Sequence, residues 1–291
     1  MVLMFRSLQP GQRAQVWIGG PDLAEPELFL ETSEMLIEAP NWSVDGVLFV
    51  NGNGQLWRLA LDESPAVPRQ VTFSGLPEIN NDHMLSPNGQ DIYLSANDGH
   101  IYRGALTGGD AERVTQDEGV WHFLHGVSPD GSRLAYVRLV DFTQPGRLAV
   151  MEPFGMSEIV DTGEGHLDGP EWSGDGAWIY FNTETFSTEP GHAQLARIPD
   201  GGGSMEHLVA SNTVDWFPHL SPDGRFASYI SFPAGTVGHP PDLSVEVRVV
   251  RTDDWSTPVQ TYPILGGQGS LNVNSWSPDS TRFAFVAYPS A

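Results

Sequence analysis

The phrase "WSVDG", Trp42 to Gly46, opens a series: "LSPNG" (Leu85 to Gly89), "VSPDG" (Val127 to Gly131), "WSGDG" (Trp172 to Gly176), "LSPDG" (Leu220 to Gly224) and "WSPDS" from Trp276. The serines Ser43, Ser86, Ser128, Ser173, Ser221 and Ser277 stand 43, 42, 45, 48 and 56 residues apart. Each phrase is a turn by composition: proline presets φ, Asp or Asn caps locally, and glycine accepts a positive φ. An alternating apolar run follows each turn, as in "VLFVNG" from Val47, "AWIYFNT" from Ala177 and "TRFAFVAY" from Thr281. Further runs come next, as in "QLWRLAL" from Gln55, then shorter ones such as "RQVTF" from Arg69. Aromatic and β-branched residues between turn signals argue strands. A period of about 40–50 residues with several strands per unit marks propeller blades. The sequence therefore predicts an all-β fold, a six-bladed β-propeller in a single domain over residues 1–291.

The two ends of the chain complete this reading. The last phrase, Ser270 to Tyr288, supplies only two strands. "AQVWIGG" from Ala14 and "PELFLE" from Pro26 precede the first phrase and supply the missing pair. The N- and C-terminal strands are thus expected to share the last blade, a closure that hides sheet edges.

Composition excludes several function classes. Acidic residues outnumber basic ones 37 to 14, for a net charge of −23. Such a field repels phosphate backbones and anionic membrane surfaces, so neither nucleic acid nor membrane is expected as a partner. All basic residues are arginine, which excludes lysine Schiff-base chemistry, and the absence of cysteine excludes a thiol nucleophile or thiolate metal site. The N-terminus turns polar within a few residues, and no stretch approaches the ~20 apolar residues of a membrane span, so a cytoplasmic location is expected. The oligomeric state is left open.

The repeat resembles that of TolB-like propellers, whose blades carry a W-S-P-D-G signature, over nearly the whole chain. Phrases such as "NNDH" (Asn80 to His83), "DGPE" (Asp168 to Glu171), "DWFPH" (Asp215 to His219), "GHPP" (Gly238 to Pro241) and "GGQG" (Gly266 to Gly269) are similar to those of short, propeller-only members. In such propellers the segment before each turn is the innermost strand and its approach loop. Counted back from the serines, His83 and His125 sit at −3, and Glu171 and His219 at −2. Asp82, His122, His166, Asp168 and Asp215 lie further back, and the last blade carries Asn272 and Asn274. Equivalent residues of different blades meet at the axis, where imidazoles and carboxylates form an N/O site suited to a divalent metal (Mn, Zn, Fe, Ni or Ca). His83, His125 and His219 are the expected metal ligands. Positions −3 and −2 of a regular strand face opposite ways, so this convergence requires a bulge or a register shift at Pro170 and Pro218.

The expected catalytic residues are Asp82, Glu171, His219 and His239; Glu171 pairs alternatively with Arg138 or Arg225. Asn81, Asp168, Asp215, Trp216, Gln268 and Asn272 are expected to bind substrate. His239 lies in "VGHPPD" from Val237, the longest inter-strand insertion, placed to overhang the channel. "GGQG" is a candidate to offer backbone N–H groups to a ligand. Trp121, Phe123, Trp216 and Phe217 serve either blade packing or stacking on sugar rings.

Oligogalacturonate lyases also resemble this chain in their repeats, and they hold a metal on axial histidines. That resemblance implies a carbohydrate-active protein taking a small-molecule or oligosaccharide ligand, as a lyase or hydrolase, although their ligand pattern does not map onto this sequence residue by residue. The alternative is a non-catalytic protein-interaction module. No Gly-x-Ser-x-Gly elbow supports a serine hydrolase.

Overall fold

The computed structural model describes residues 6–290, which form strands and turns with no helix among the described residues. Blades 1 to 5 are four-stranded antiparallel sheets, and their innermost strands are Glu38–Trp42, Ile79–Leu85, Trp121–Val127, Leu167–Trp172 and Val214–Leu220. The sixth blade is shared between the two ends of the chain. Phe283–Ala287 pairs with Ala14–Gly19 (Val16 opposite Val286), which in turn pairs with Glu27–Thr32. The closure read from the sequence is present, with one difference. The inner position of blade 6 is not a strand: only the single bridge Trp276–Phe283 marks it, and the chain before Trp276 runs through successive turns.

The repeated serine has a structural job. Ser128 Oγ accepts a hydrogen bond from Arg133 N–H (2.8 Å) and donates one to Asp130 Oδ1 (2.6 Å), while Gly131 takes φ +73. The same hydroxyl-to-Asp bond recurs at Ser173, Ser221 and Ser277. The serine side chain thus adds to the backbone bond from its own N–H (Ser128 N–H to the Arg133 carbonyl, 2.8 Å) in closing the turn between the inner strand and the next, which accounts for its recurrence without any role as a nucleophile.

The core lies between blades. Ala135, Val137, Leu148 and Val150 of blade 3 pack on Leu167, Trp172, Ile179 and Phe181 of blade 4. At the closing seam, Val16, Ile18, Val286 and Tyr288 pack on Ile37, Leu48, Val50 and Leu59 of blade 1. Each such side chain contributes about 1.5–3 kcal/mol by leaving water, so apolar burial welds the ring shut without a covalent link.

All five inner strands carry a β-bulge or register irregularity next to the axis, between Glu38 and Asn41, Ile79 and His83, Leu124 and Gly126, Asp168 and Glu171, and Trp216 and His219. In three of them the bulge residue has a positive φ and precedes proline: Ala39 (φ 51), Gly169 (φ 62) and Phe217 (φ 57). The extra residue re-aims the side chains on either side of it, which resolves the parity conflict between positions −3 and −2.

Candidate functional site

At one mouth of the channel the bulged strands and their neighbouring loops enclose a cavity of about 700 Å³. Asn81, Asp82, His125, Asp168, His239, Gln268 and Asn272, all expected from the sequence to be site residues, line it. Phe123, Phe142, Phe217, Val137 and Leu139 supply apolar wall, and Arg6, Glu38, Asn51 and Asp242 complete the polar part.

One polar group centres on His125. Its Nδ1–H donates to the Asn272 carbonyl (3.1 Å), and Nε2 lies 3.0 Å from Asp168 Oδ1 and 3.7 Å from Asp82 Oδ1. Burial opposes the imidazolium charge, but the two carboxylates outweigh it and lift the His125 pKa to about 9. Burial likewise acts to raise Asp168, yet His125 and His239 prevail and hold it well below the usual carboxylate range. Asp82 behaves otherwise: burial, opposed by His125 and reinforced by Asp168, raises it to about 6. His239 joins from the overhanging loop, 3.6 Å from Asp168 Oδ2.

A second polar group surrounds Glu38. Asn51 Nδ2 and Asn81 Nδ2 donate to its two oxygens at 3.0 and 3.5 Å. Burial raises the Glu38 pKa to about 7, against the pull of Arg6 and the two amides. Arg6 itself is engaged with Asp242 (2.5 Å) and the Gln268 carbonyl (2.7 Å), with its guanidinium over the Tyr288 ring.

Behind the cavity lies a third layer, buried except for the partly exposed Asn274. His219 Nδ1 lies within hydrogen-bond distance of Glu171 Oε2 (2.7 Å), and His219 Nε2–H donates to the Leu271 carbonyl. Glu171 Oε1 accepts from Asn274 Nδ2 and Leu220 N–H. His83 Nδ1 pairs with Asn41 Oδ1 (2.8 Å), and burial pushes its pKa down to about 3. Blade 6 joins these layers. Between Gly267 and Trp276 its chain crosses to every other blade: Gln268 to Asn81, Gly269 to Ala39, Leu271 to His219, Asn272 to His125, and Asn274 to Asn41 and Glu171.

These contacts revise several expectations. The imidazoles of His83, His125 and His219 do not fit a shared metal. Both ring nitrogens of His125 and of His219 are taken by protein partners, and no three acidic, histidine or cysteine groups among the described residues form a cluster able to hold an ion. Glu171 and His219, expected to be catalytic, belong to the buried layer and do not line the cavity. Glu171 pairs with His219, while Arg138 and Arg225 turn to Asp117 and Asp223. Asp215 is held by the hydroxyls of Ser211, Thr213 and Ser231, beside a separate cleft of about 410 Å³ lined by Thr213, Ser231 and Arg248. Trp216 stacks behind His239 and Phe217. In "GGQG", the N–H groups of Gly267, Gln268 and Gly269 are consumed by Ser270, Pro240 and Asn272 and are not offered to a ligand.

Sequence reasoning missed Glu38, Arg6, Asn51 and Asp242. A signal for Glu38 existed. Aligned on the serines, "EAPNWS" matches "DGPEWS", which sets Glu38 level with Asp168 and Asn41 level with Glu171. Arg6 and Asp242 follow no repeat, and only tertiary structure brings them together.

Comparison with protein-family models finds no match. The uncharacterized protein Atu1656 of Agrobacterium fabrum is 37% identical over 261 residues, covering 87% of this chain and 85% of that protein. A solved structure from Agrobacterium tumefaciens, provisionally named TolB, is 34% identical and superposes with a TM-score of 0.87 over 96% of this chain and 99% of its own. An oligogalacturonate lyase solved in complex with manganese shares the fold at a TM-score of 0.57 and 14% identity, over 93% of this chain and 77% of its own. The shared fold and the 34–37% identity carried over most of both chains agree: this chain belongs to the family of these Agrobacterium proteins, the TolB-like β-propellers.

Proposed function

We propose that the hub cavity binds a small, uncharged, carbohydrate-like molecule and transfers a proton to or from it. The observation that carries this reading is the lining itself, rich in amides and flanked by aromatic rings. Asn51, Asn80, Asn81, Asn97, Gln268 and Asn272 bring amide side chains to the cavity. An amide offers a donor and an acceptor side by side, and a polyhydroxylated ligand matches both kinds. Phe123, Phe142 and Phe217 add flat apolar surface of the sort on which a sugar ring rests. Charge argues against an anion: Arg6 and His125 are already matched to Asp242 and Asp168, and the chain carries −23 overall.

The chemistry this wall suits is acid–base. Asp82, raised to about 6, is largely ionised near neutral pH and lies beside the His125 imidazolium, a base set next to a fixed positive charge. His239 is the second group able to exchange a proton at the mouth. Elimination, as in a lyase, and hydrolysis are the reaction classes that such a pair serves. A metal on His83, His125 and His219 has no part in this reading, because those ring nitrogens are occupied or stand behind the wall.

Calorimetric titration with neutral mono- and disaccharides, with galacturonate as the anionic control, tests the proposal. A neutral sugar should bind, galacturonate more weakly, and Phe123→Ala should weaken the bound sugar about tenfold, the worth of one stacking contact. Failure of every neutral sugar to bind would overturn it. The interaction-module reading draws on exposed apolar residues in the loops of the mouth, Val140 (55%), Phe142 (44%) and Val237 (74%). Under that reading sugars leave the protein unchanged, and Phe142→Ser with Val237→Ser abolishes binding of an apolar peptide.

A further inference from the structure

Glu38 stands apart from every other carboxyl at the hub. It lines the cavity yet is only 5% exposed, and no ion pair joins it among the described residues. Its two contacts are neutral amides, from Asn51 and Asn81, which favour a carboxylate far less than the imidazolium contact of Asp168 does. The chain has shaped itself around this group. A Cβ at Gly269 would collide with Glu38 Oε1, and Gly269 has φ +87, a conformation that side-chain-bearing residues rarely adopt. The bulge at Ala39, fixed by Pro40 and by the hydrogen bond from Ala39 N–H to the Gly269 carbonyl, holds the carboxyl in place. The carboxyl satisfies two buried amides, yet no cation among the described residues holds it in the ionised form.

We propose that Glu38 is the proton donor of the hub site: in its acid form it donates a hydrogen bond, and in turnover a proton, to an acceptor oxygen of the bound carbohydrate. The O–H bond of Glu38 breaks as an O–H bond forms on the ligand, and water returns the proton to the carboxylate. This deepens the carbohydrate reading of the cavity and rests on it. The charged and titratable groups facing Glu38 are Arg6, Asp82 and Tyr288. Burial outweighs them and sets its titration near pH 7, so both forms are populated near neutrality.

Two measurements decide the matter. Methyl glucosides and methyl galactosides are titrated calorimetrically at pH 6 and pH 8. Wild-type affinity should fall about tenfold over that interval as the acid fraction drops from about 0.9 to about 0.1. Glu38→Gln, a permanent donor, should flatten that dependence, and Glu38→Asp should restore part of it. In parallel, dicyclohexylcarbodiimide, which adds to protonated carboxyls, is applied to the wild-type protein and the modified peptide is read by mass spectrometry. Glu38 should be labelled about tenfold faster at pH 6 than at pH 8. Sugar binding that is equal at both pH values and unchanged in Glu38→Gln overturns the role of Glu38 while leaving the carbohydrate reading intact. If no glycoside binds, the carbohydrate reading falls, and the labelling alone decides whether Glu38 is an accessible acid; an unlabelled Glu38 at pH 6 overturns the proposal.

Discussion

Blades 1 to 5 and blade 6 meet the axis in opposite ways. The first five bring ladder-paired strands inward and end them in acids, imidazoles and amides. The sixth brings almost no ladder and instead lays its own backbone across the others, offering the carbonyls of Gly269, Leu271, Asn272 and Asn274 as acceptors. The difference teaches how a ring can carry buried charge at its centre. A sixth regular strand would engage its carbonyls in its own sheet, and His125, His219 and Asn41 would then lose partners that burial makes obligatory. Irregularity in one blade is what satisfies regularity in the rest.

The sharpest way to break this arrangement is to remove one half of the enclosed pair. Glu171→Ala leaves His219 buried without its carboxylate and should cost about 3–5 kcal/mol in urea unfolding, as for other severed buried pairs. Asn274→Ala withdraws the donor that blade 6 gives to Glu171 and to the Leu220 carbonyl. About 2–3 kcal/mol should be lost, with little change at the cavity, since Asn274 does not line it.

Glu38→Gln should act with the opposite sign and only at high pH. The folded-state pKa is raised from 4.5 to about 7, so the wild type is favoured while Glu38 is protonated and loses that advantage as the pH climbs through this interval. Thermal unfolding at pH 8.5 should find the variant more stable by about 3 kcal/mol, with no difference at pH 4. Ser128→Ala, at the turn that ends the inner strand of blade 3, should cost about 1 kcal/mol through the lost bonds to Arg133 and Asp130. An equal loss from Ser128→Ala and Glu171→Ala would mean that the hub carries no special weight.

Most of the architecture was legible because it repeats. Six turn phrases fix the blade count, and the strands left over at the two ends fix the closure. The site was legible only where it follows that repeat. His125 stands at a counted position before its serine, Asp82 and Asp168 lie just upstream of such positions, and all three line the cavity. Glu171 and His219 stand at counted positions too, yet one bulge residue separates the layer that faces the cavity from the layer behind it, and spacing alone does not reveal a bulge. Nor did composition betray the path of blade 6: "SLNVNSW" alternates like a strand, but its asparagines serve the backbone and its neighbours instead of a ladder.

The crossing segment of blade 6 also sets an order of events. It is translated after the five blades whose central groups it completes, so a nascent chain that has made those blades still holds ionisable side chains with no mates at the middle of an open ring. Joining of the first and last strands and neutralisation of the centre therefore coincide, and an incomplete chain has good reason to stay loose until its final segment arrives.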